Sequence, residues 1–225
     1  MMQLTKSLVV VAALIGVLTE SAMASIEPYV GMGYEWSTIN HRRGNSHGSI
    51  FNKYFGGGNV YAGARWKDIS LEAGHESTGN KYKSGSYSAM SKDSELVTAS
   101  FRTPNSFTGW HIDLNAHMPV IKDFELLGSL GYGVIKHRSS SEFSFSVSGG
   151  SVLSENLHIS NKYKNTFRLG LGIQQMFCNH IGIRCMIRYK LLNNHSRLKS
   201  DLFEINESVK FKNIVSVAAG VIFKF

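Results

Sequence analysis

The richest chemistry in this chain is the row His111, Asp113, Asn115 and His117, four polar side chains at every second position. Residues i and i+2 on a strand share one face about 7 Å apart. A His–Asp pair so placed can orient a base or hold a metal ion. No nucleophile or third ligand stands at that spacing, so we read the row as polar packing inside a fold. A second candidate is His195-Ser196, with Glu204 and Glu207 beyond. Neighbouring strand residues point opposite ways, so this pair needs a bend to act as nucleophile and base. The nine histidines form no HxxxH or HExxH pattern, and no metal or cofactor is expected.

The elements that carry these residues are strands. Trp110, Ile112, Leu114, Ala116 and Met118 alternate with the polar row. At the carboxyl end Val215, Val217, Ala219, Val221, Phe223 and Phe225 alternate with Lys212, Ser216, Ala218, Gly220 and Lys224, Ile214 and Ile222 being exceptions. Alternation means one apolar face and one small or charged face. Eight such segments follow one another, centred near 26–36, 57–66, 69–76, 110–118, 124–134, 164–175, 181–190 and 211–225. Four serine-, glycine- and lysine-rich stretches, 37–55, 77–106, 136–162 and 191–210, read as long loops, with Glu95 to Arg102 able to prolong strands. Between them lie short turns at Lys67-Asp68, Pro119–Asp123 and Phe177–His180.

Length and composition fit one domain: 225 residues, 22 glycines and only three prolines. Met1 to Lys6 is cationic, Leu8 to Leu18 apolar, and Ala22-Met23-Ala24 is a small-x-small site. We expect a cleaved signal peptide over 1–24 and one domain over 25–225. No stretch is long and apolar enough for a spanning helix, so a membrane location requires a closed barrel. Cys178 falls in a turn and Cys185 well up the next strand, too far apart for a disulfide.

Alternation alone leaves open which face meets lipid; a soluble lipocalin-like barrel would bury the apolar parity. The tryptophans decide. Trp36, Trp66 and Trp110 all lie on the apolar parity at strand ends, where amphipathic rings gather at lipid–water boundaries. Tyr34, Tyr132, Tyr189, Phe223 and Phe225 complete the girdles. The fold class is therefore an all-β, eight-stranded antiparallel transmembrane up-and-down β-barrel with four long external loops and short periplasmic turns.

An eight-stranded barrel is just wide enough for side chains to fill it. The inward face carries Glu35, Glu72 and Asp113 against Arg65, Arg168, Arg184, Arg188 and Lys190, with His111 and His117 beside them. Charges there must pair, so a salt-bridged plug without stable conductance is expected. Arg65 and Glu72 flank one turn and are the expected partners. The net charge of +8 is concentrated in loop clusters, with Arg42, Arg43, Lys81, Lys83, Lys136, Arg138, Arg197 and Lys199 as the basic patch. Export argues against nucleic acid and for anionic lipid, lipopolysaccharide or polyanionic host surfaces and proteins as partners.

The phrases Ile26-Glu-Pro-Tyr-Val-Gly31, Val60-Tyr-Ala-Gly-Ala-Arg65, Leu130-Gly-Tyr-Gly-Val134, Phe167-Arg-Leu-Gly-Leu-Gly172 and Val217-Ala-Ala-Gly-Val-Ile-Phe-Lys-Phe225 resemble the OmpA-like and opacity-protein class of small outer-membrane barrels. The resemblance covers the mature chain, and a wall-anchoring role through a peptidoglycan-binding domain is not expected. It implies a surface antigen, adhesin or envelope-stabilising protein of a Gram-negative outer membrane. We expect a monomer that is not an enzyme, with a small porin as the alternative and a lipid A-modifying enzyme, through His195-Ser196, as the weaker one.

Overall fold

The computed structural model describes residues 26–42, 52–90, 96–147, 153–158, 163–199 and 206–225. The expected signal peptide lies outside them. Ten strands follow in order: β1 (Ile26–Arg42), β2 (Tyr54–Trp66), β3 (Ile69–Thr78), β4 (Lys81–Met90), β5 (Leu96–Ile121), β6 (Phe124–Val147), β7 (Leu153–His158), β8 (Tyr163–Met176), β9 (Ile181–Lys199) and β10 (Asn206–Lys224). All pairings are antiparallel.

The ten strands make eight ribbons. β3 and β4 both pair with β5, Ser77 opposite Thr108 and Lys81 opposite Asn105, a shift of one position at Gly79-Asn80. β7 and β8 both pair with β6 in the same interrupted way. The ring runs β1-β2-β3-β5-β6-β8-β9-β10 and closes where Tyr29 meets Lys224 and Arg42 meets Lys210. Closure leaves no ring strand with an unpaired edge in hydrocarbon, where an unsatisfied backbone group costs several kcal/mol.

The turns are as short as the sequence implies. Lys67 and Asp123 take positive φ, 54° and 64°, to reverse the chain in two-residue links. Pro119 departs from expectation: it lies within β5, beside the register shift between Pro119 and Ile121, where a missing N–H is tolerated.

The long connections also differ from expectation. Much of the four predicted loops is β-ribbon: β1 runs on to Arg42, the β4–β5 hairpin fills most of 81–106, β6 reaches Val147, and β9 and β10 extend to Lys199 and from Asn206. Beyond the hydrocarbon neither face must be apolar, so a ribbon there needs only its ladder and its alternation fades.

Exposure sorts the faces as the girdle argument requires. Trp36, Trp66 and Trp110 are each more than half exposed on the outer wall, as are Tyr132 and Phe225, with Tyr189 at the margin. Phe223 shares that parity but is less exposed. Ile214 and Ile222, the exceptions to the alternation, are buried inside at 2% and 1% exposure. Cys178 is exposed in the β8–β9 turn, Cys185 sits on β9, and both are free thiols.

Candidate functional site: the barrel lumen and its outer rim

The lumen is built from the inward positions of all eight ribbons, and it is stratified. Nearest the short turns, Arg65 Nη1 pairs with Glu125 Oε1 at 2.6 Å, and His117 Nδ1 lies 3.0 Å from Glu125 Oε2. His117 Nε2 meets Ser70 Oγ at 2.9 Å. Above this lies a layer of Tyr29, Tyr61, Met176 and Ile222, the two rings edge-on at 6.5 Å.

The central layer is ionic. Arg184 donates to Glu72 at 2.5 Å and twice to Gln174 Oε1, while its guanidinium lies 5.3 and 5.0 Å from the Tyr29 and Tyr61 ring centres. Arg168 donates to Glu76 at 3.0 Å and stands 3.1 Å from Asp113 as an ion pair. Lys190 Nζ donates to both Glu35 Oε1 at 2.6 Å and Glu76 Oε2 at 2.7 Å. Arg188 is 3.7 Å from Glu35. The acids Glu35, Glu72, Glu76, Asp113 and Glu125 match Arg65, Arg168, Arg184, Arg188 and Lys190 in number, so the lumen pairs its own charges across both layers.

A second apolar layer caps the ions on the long-ribbon side. Ile39, Phe55, Phe107, Ile135, Leu192 and Ile214 are all buried, Phe55 and Phe107 packing edge-on at 4.9 Å. Between this cap and the ions a cavity of about 20 Å³ remains, room for about one water.

The sequence placed Glu35, Glu72, His111, Asp113, His117, Arg168, Arg184 and Arg188 on the inner face, and all are buried there. Arg65 is inward at the short-turn end. The Arg65–Glu72 pairing does not form: Arg65 takes Glu125 and the Lys67 carbonyl, and Glu72 takes Arg184 from the opposite wall. Shared turns bring neighbours close along the wall, but the lumen is narrow enough for long side chains to cross it. Glu76 and Glu125 were missed because each sits next to a supposed loop or turn, though both share the inner parity of their strands.

The polar row gains a second carboxylate. Glu72 on β3 is directly opposite Asp113 on β5, and with His111 they bring three ligand-type atoms within 4.8 Å. Arg184 and Arg168 already occupy the carboxylates, so the cluster works as an ion-pair hub.

At the rim the basic patch divides. Lys81 and Arg138 are exposed, and Lys136 and Lys83 partly so. Arg42, Arg197 and Lys199 lie on β1 and β9, whereas Arg43 falls outside the described residues. His137, between Lys136 and Arg138, is not part of that surface. It turns inward at 5% exposure, stacked on Phe107 at 4.5 Å, with Nε2 3.1 Å from Asn105 Oδ1. Burial, helped by the nearby Lys164 cation, holds its imidazole down to a pKa of about 3. His195 and Ser196 are consecutive on β9, opposite Lys210 and Val209, so the backbone there is extended rather than bent.

The family model for the outer membrane protein beta-barrel domain matches residues 10–223. The structure of the outer membrane protein OprG from Pseudomonas aeruginosa aligns with a TM-score of 0.57 at 8% identity, over 88% of this chain and 95% of that chain. Neisserial surface protein A aligns at 14% identity over 88% and 97%, with a TM-score of 0.46. The attachment invasion locus protein Ail of Yersinia pestis, in complex with the heparin analogue sucrose octasulfate, aligns at 17% identity over 89% and 99%, with a TM-score of 0.40. Among curated proteins no sequence match is found. At 8% identity the likeness to OprG is one of fold alone.

Proposed function

The chain belongs to the outer membrane protein beta-barrel domain family, and from that membership we propose that it acts as a sealed, non-catalytic outer-membrane barrel whose extended ribbons serve attachment or envelope integrity at the cell surface. The observation that carries this reading is the plug. A lumen crossed by Lys190, Arg168 and Arg184 and capped by Phe55 and Phe107 is filled by side chains among the described residues, which supports a barrel closed to ions and substrates. With the interior filled, the parts free to act are the ribbons beyond the girdle and their cations, which attract polyanions by a salt-sensitive field. Closure of β1 on β10 supports a monomer, since no strand edge is left within the membrane for a second copy.

The deciding measurement is electrical. The refolded protein in planar bilayers is expected to give no steady ion-selective steps; regular steps would make it a small channel instead. The catalytic alternative has its own test. His195→Ala is expected to leave the acylation of lipid A unchanged, and an altered acyl pattern would overturn the non-catalytic reading.

A further inference from the structure

The outer wall changes character along single strands. On β5 the outward positions run Met118, Ala116, Leu114, Ile112 and Trp110, then switch to Thr108, Ser106, Pro104, Arg102, Ser100 and Thr98. On β6 Tyr132 and Val134 give way to Lys136 and Arg138, then Glu142, Ser144 and Ser146. The parity does not change, so the same face that meets hydrocarbon below the girdle continues beyond it. That face looks sideways, into the headgroup layer of neighbouring lipid, and away from the lumen.

Register orders the face into rows. Ser84, Arg102 and Glu142 stand abreast on β4, β5 and β6; the next row is Ser86, Ser100 and Ser144; the next is Ser88, Thr98 and Ser146. Ser100 and Ser144 bond at 2.7 Å, and Ser88 and Thr98 at 3.0 Å. The middle of this array is a hollow of about 420 Å³. Each hydroxyl both donates and accepts, and the rows repeat about 4.8 Å across strands and about 7 Å along them, the scale of sugar hydroxyls. Short side chains also lose little rotamer freedom on binding.

Nearer the girdle the same face carries cations set on exposed rings. Arg102 lies 4.6 Å from the Tyr82 ring centre, and Lys136 lies 5.4 Å from that of Tyr163, its direct cross-strand partner. Arg138 is exposed beside them, and Glu142 is the acid that the described rows place among them. A cation fixed over a ring offers a phosphate partner, and the ring offers a flat apolar platform for a sugar face. Basic clusters at this depth recognise anionic headgroups.

We propose that the outward face of β4, β5 and β6 is a docking surface for the phosphorylated sugar headgroup of lipopolysaccharide in the same leaflet. Lys136, Arg138 and Arg102 take the phosphates, and the serine rows take the core saccharide. This rests on the outer-membrane reading but not on a sealed lumen.

The experiment reconstitutes the protein into vesicles of phosphatidylcholine with either phosphorylated rough lipopolysaccharide, the same material dephosphorylated, or lipid A lacking core sugar. Glycolipid retained through detergent extraction and gel filtration is then measured. Wild type is expected to retain phosphorylated rough lipopolysaccharide at least ten-fold over the dephosphorylated form, and to lose it in high salt. R102Q/K136Q/R138Q is expected to lower retention about ten-fold, whereas K67Q, at the opposite membrane face, changes nothing. S86V/S100V/S144V is expected to abolish the preference for core-bearing lipopolysaccharide over lipid A while keeping phosphate dependence. Equal retention by wild type and both triple variants overturns the proposal. So does a soluble sulfated glycan that binds this face more tightly than the glycolipid does. Heat-modifiable migration on gels, scored in every sample, reports barrel formation separately, so a failed fold and a failed site are told apart.

Discussion

Arg184 donates through Nη1 to Glu72 Oε2 at 2.5 Å, joining β9 to β3 across the lumen between residues 112 apart in sequence. Two tyrosine rings and Gln174 enclose the guanidinium, so removing the carboxylate leaves a desolvated charge with only neutral partners. Glu72→Gln should therefore cost roughly 3 kcal/mol of barrel stability. The apolar double replacement E72L/R184M should cost less than Glu72→Gln, because it strands no charge. Urea unfolding in lipid vesicles, followed by tryptophan fluorescence, measures both. A double variant weaker than E72Q would show that this pair holds the barrel by attraction and not merely by mutual neutralisation.

Two glycines of β6 separate wall from lumen. A Cβ added at Gly131 would run into the carboxylate of Asp113, its cross-strand partner, and drive that group off Arg168. At Gly128, three positions earlier, an added Cβ meets nothing within 4 Å. G131A should thus lose about 1–3 kcal/mol through the displaced ion pair, and G128A should fall within about 0.5 kcal/mol of wild type. The same unfolding assay reads the contrast, and equal losses would mean that Gly131 does not serve to seat Asp113.

The strands and the inner and outer faces could be read from sequence because lipid and lumen impose opposite demands on alternate residues. Trp110, Ile112 and Leu114 against His111, Asp113 and Asn115 show that contrast at full strength. Partner choice in the lumen could not be read. Glu72 has Arg65 across one turn and Arg184 across the barrel, and only the width of the lumen decides between them. The ribbons were hidden for a third reason. In Ser84, Ser86 and Ser88, or Ser144 and Ser146, polar residues occupy the face that lipid would otherwise make apolar, so the periodic signal that marks a strand is lost.

His137 is expected to give the long-ribbon end a dependence on acid. Its folded pKa of about 3 lies below the unfolded value of about 6.5. The neutral ring is favoured by folding, so its contribution is complete above pH 6.5 and falls away as pH drops from there toward 3. Protonation places a charge against Phe107 and adds to the field of Lys164. Amide exchange at Asn105, Phe107 and His137 should therefore accelerate, beyond its intrinsic pH dependence, as pH is lowered from 6.5 to 4. His137→Gln, which can still reach Asn105 but does not titrate, should flatten that response. An unchanged profile in the variant would place the acid sensitivity elsewhere.

The two thiols report which way the barrel is inserted. Cys178 is exposed in the short turn between β8 and β9, and Cys185 lies seven residues on, on the lipid-facing side of β9 between Ile183 and Ile187. Short turns belong on the periplasmic side of such barrels. A membrane-impermeant maleimide added to intact cells should then leave Cys178 unlabelled, and permeabilising the outer membrane should expose it. Cys185 should stay nearly inert in both states, because the polar reagent does not enter the hydrocarbon that surrounds this part of the wall. C178S provides the control, removing the signal that appears on permeabilisation. Labelling of Cys178 in intact cells would invert the barrel, carry Trp36 and Trp110 to the inner boundary, and move the serine rows of β4, β5 and β6 away from the lipopolysaccharide leaflet altogether.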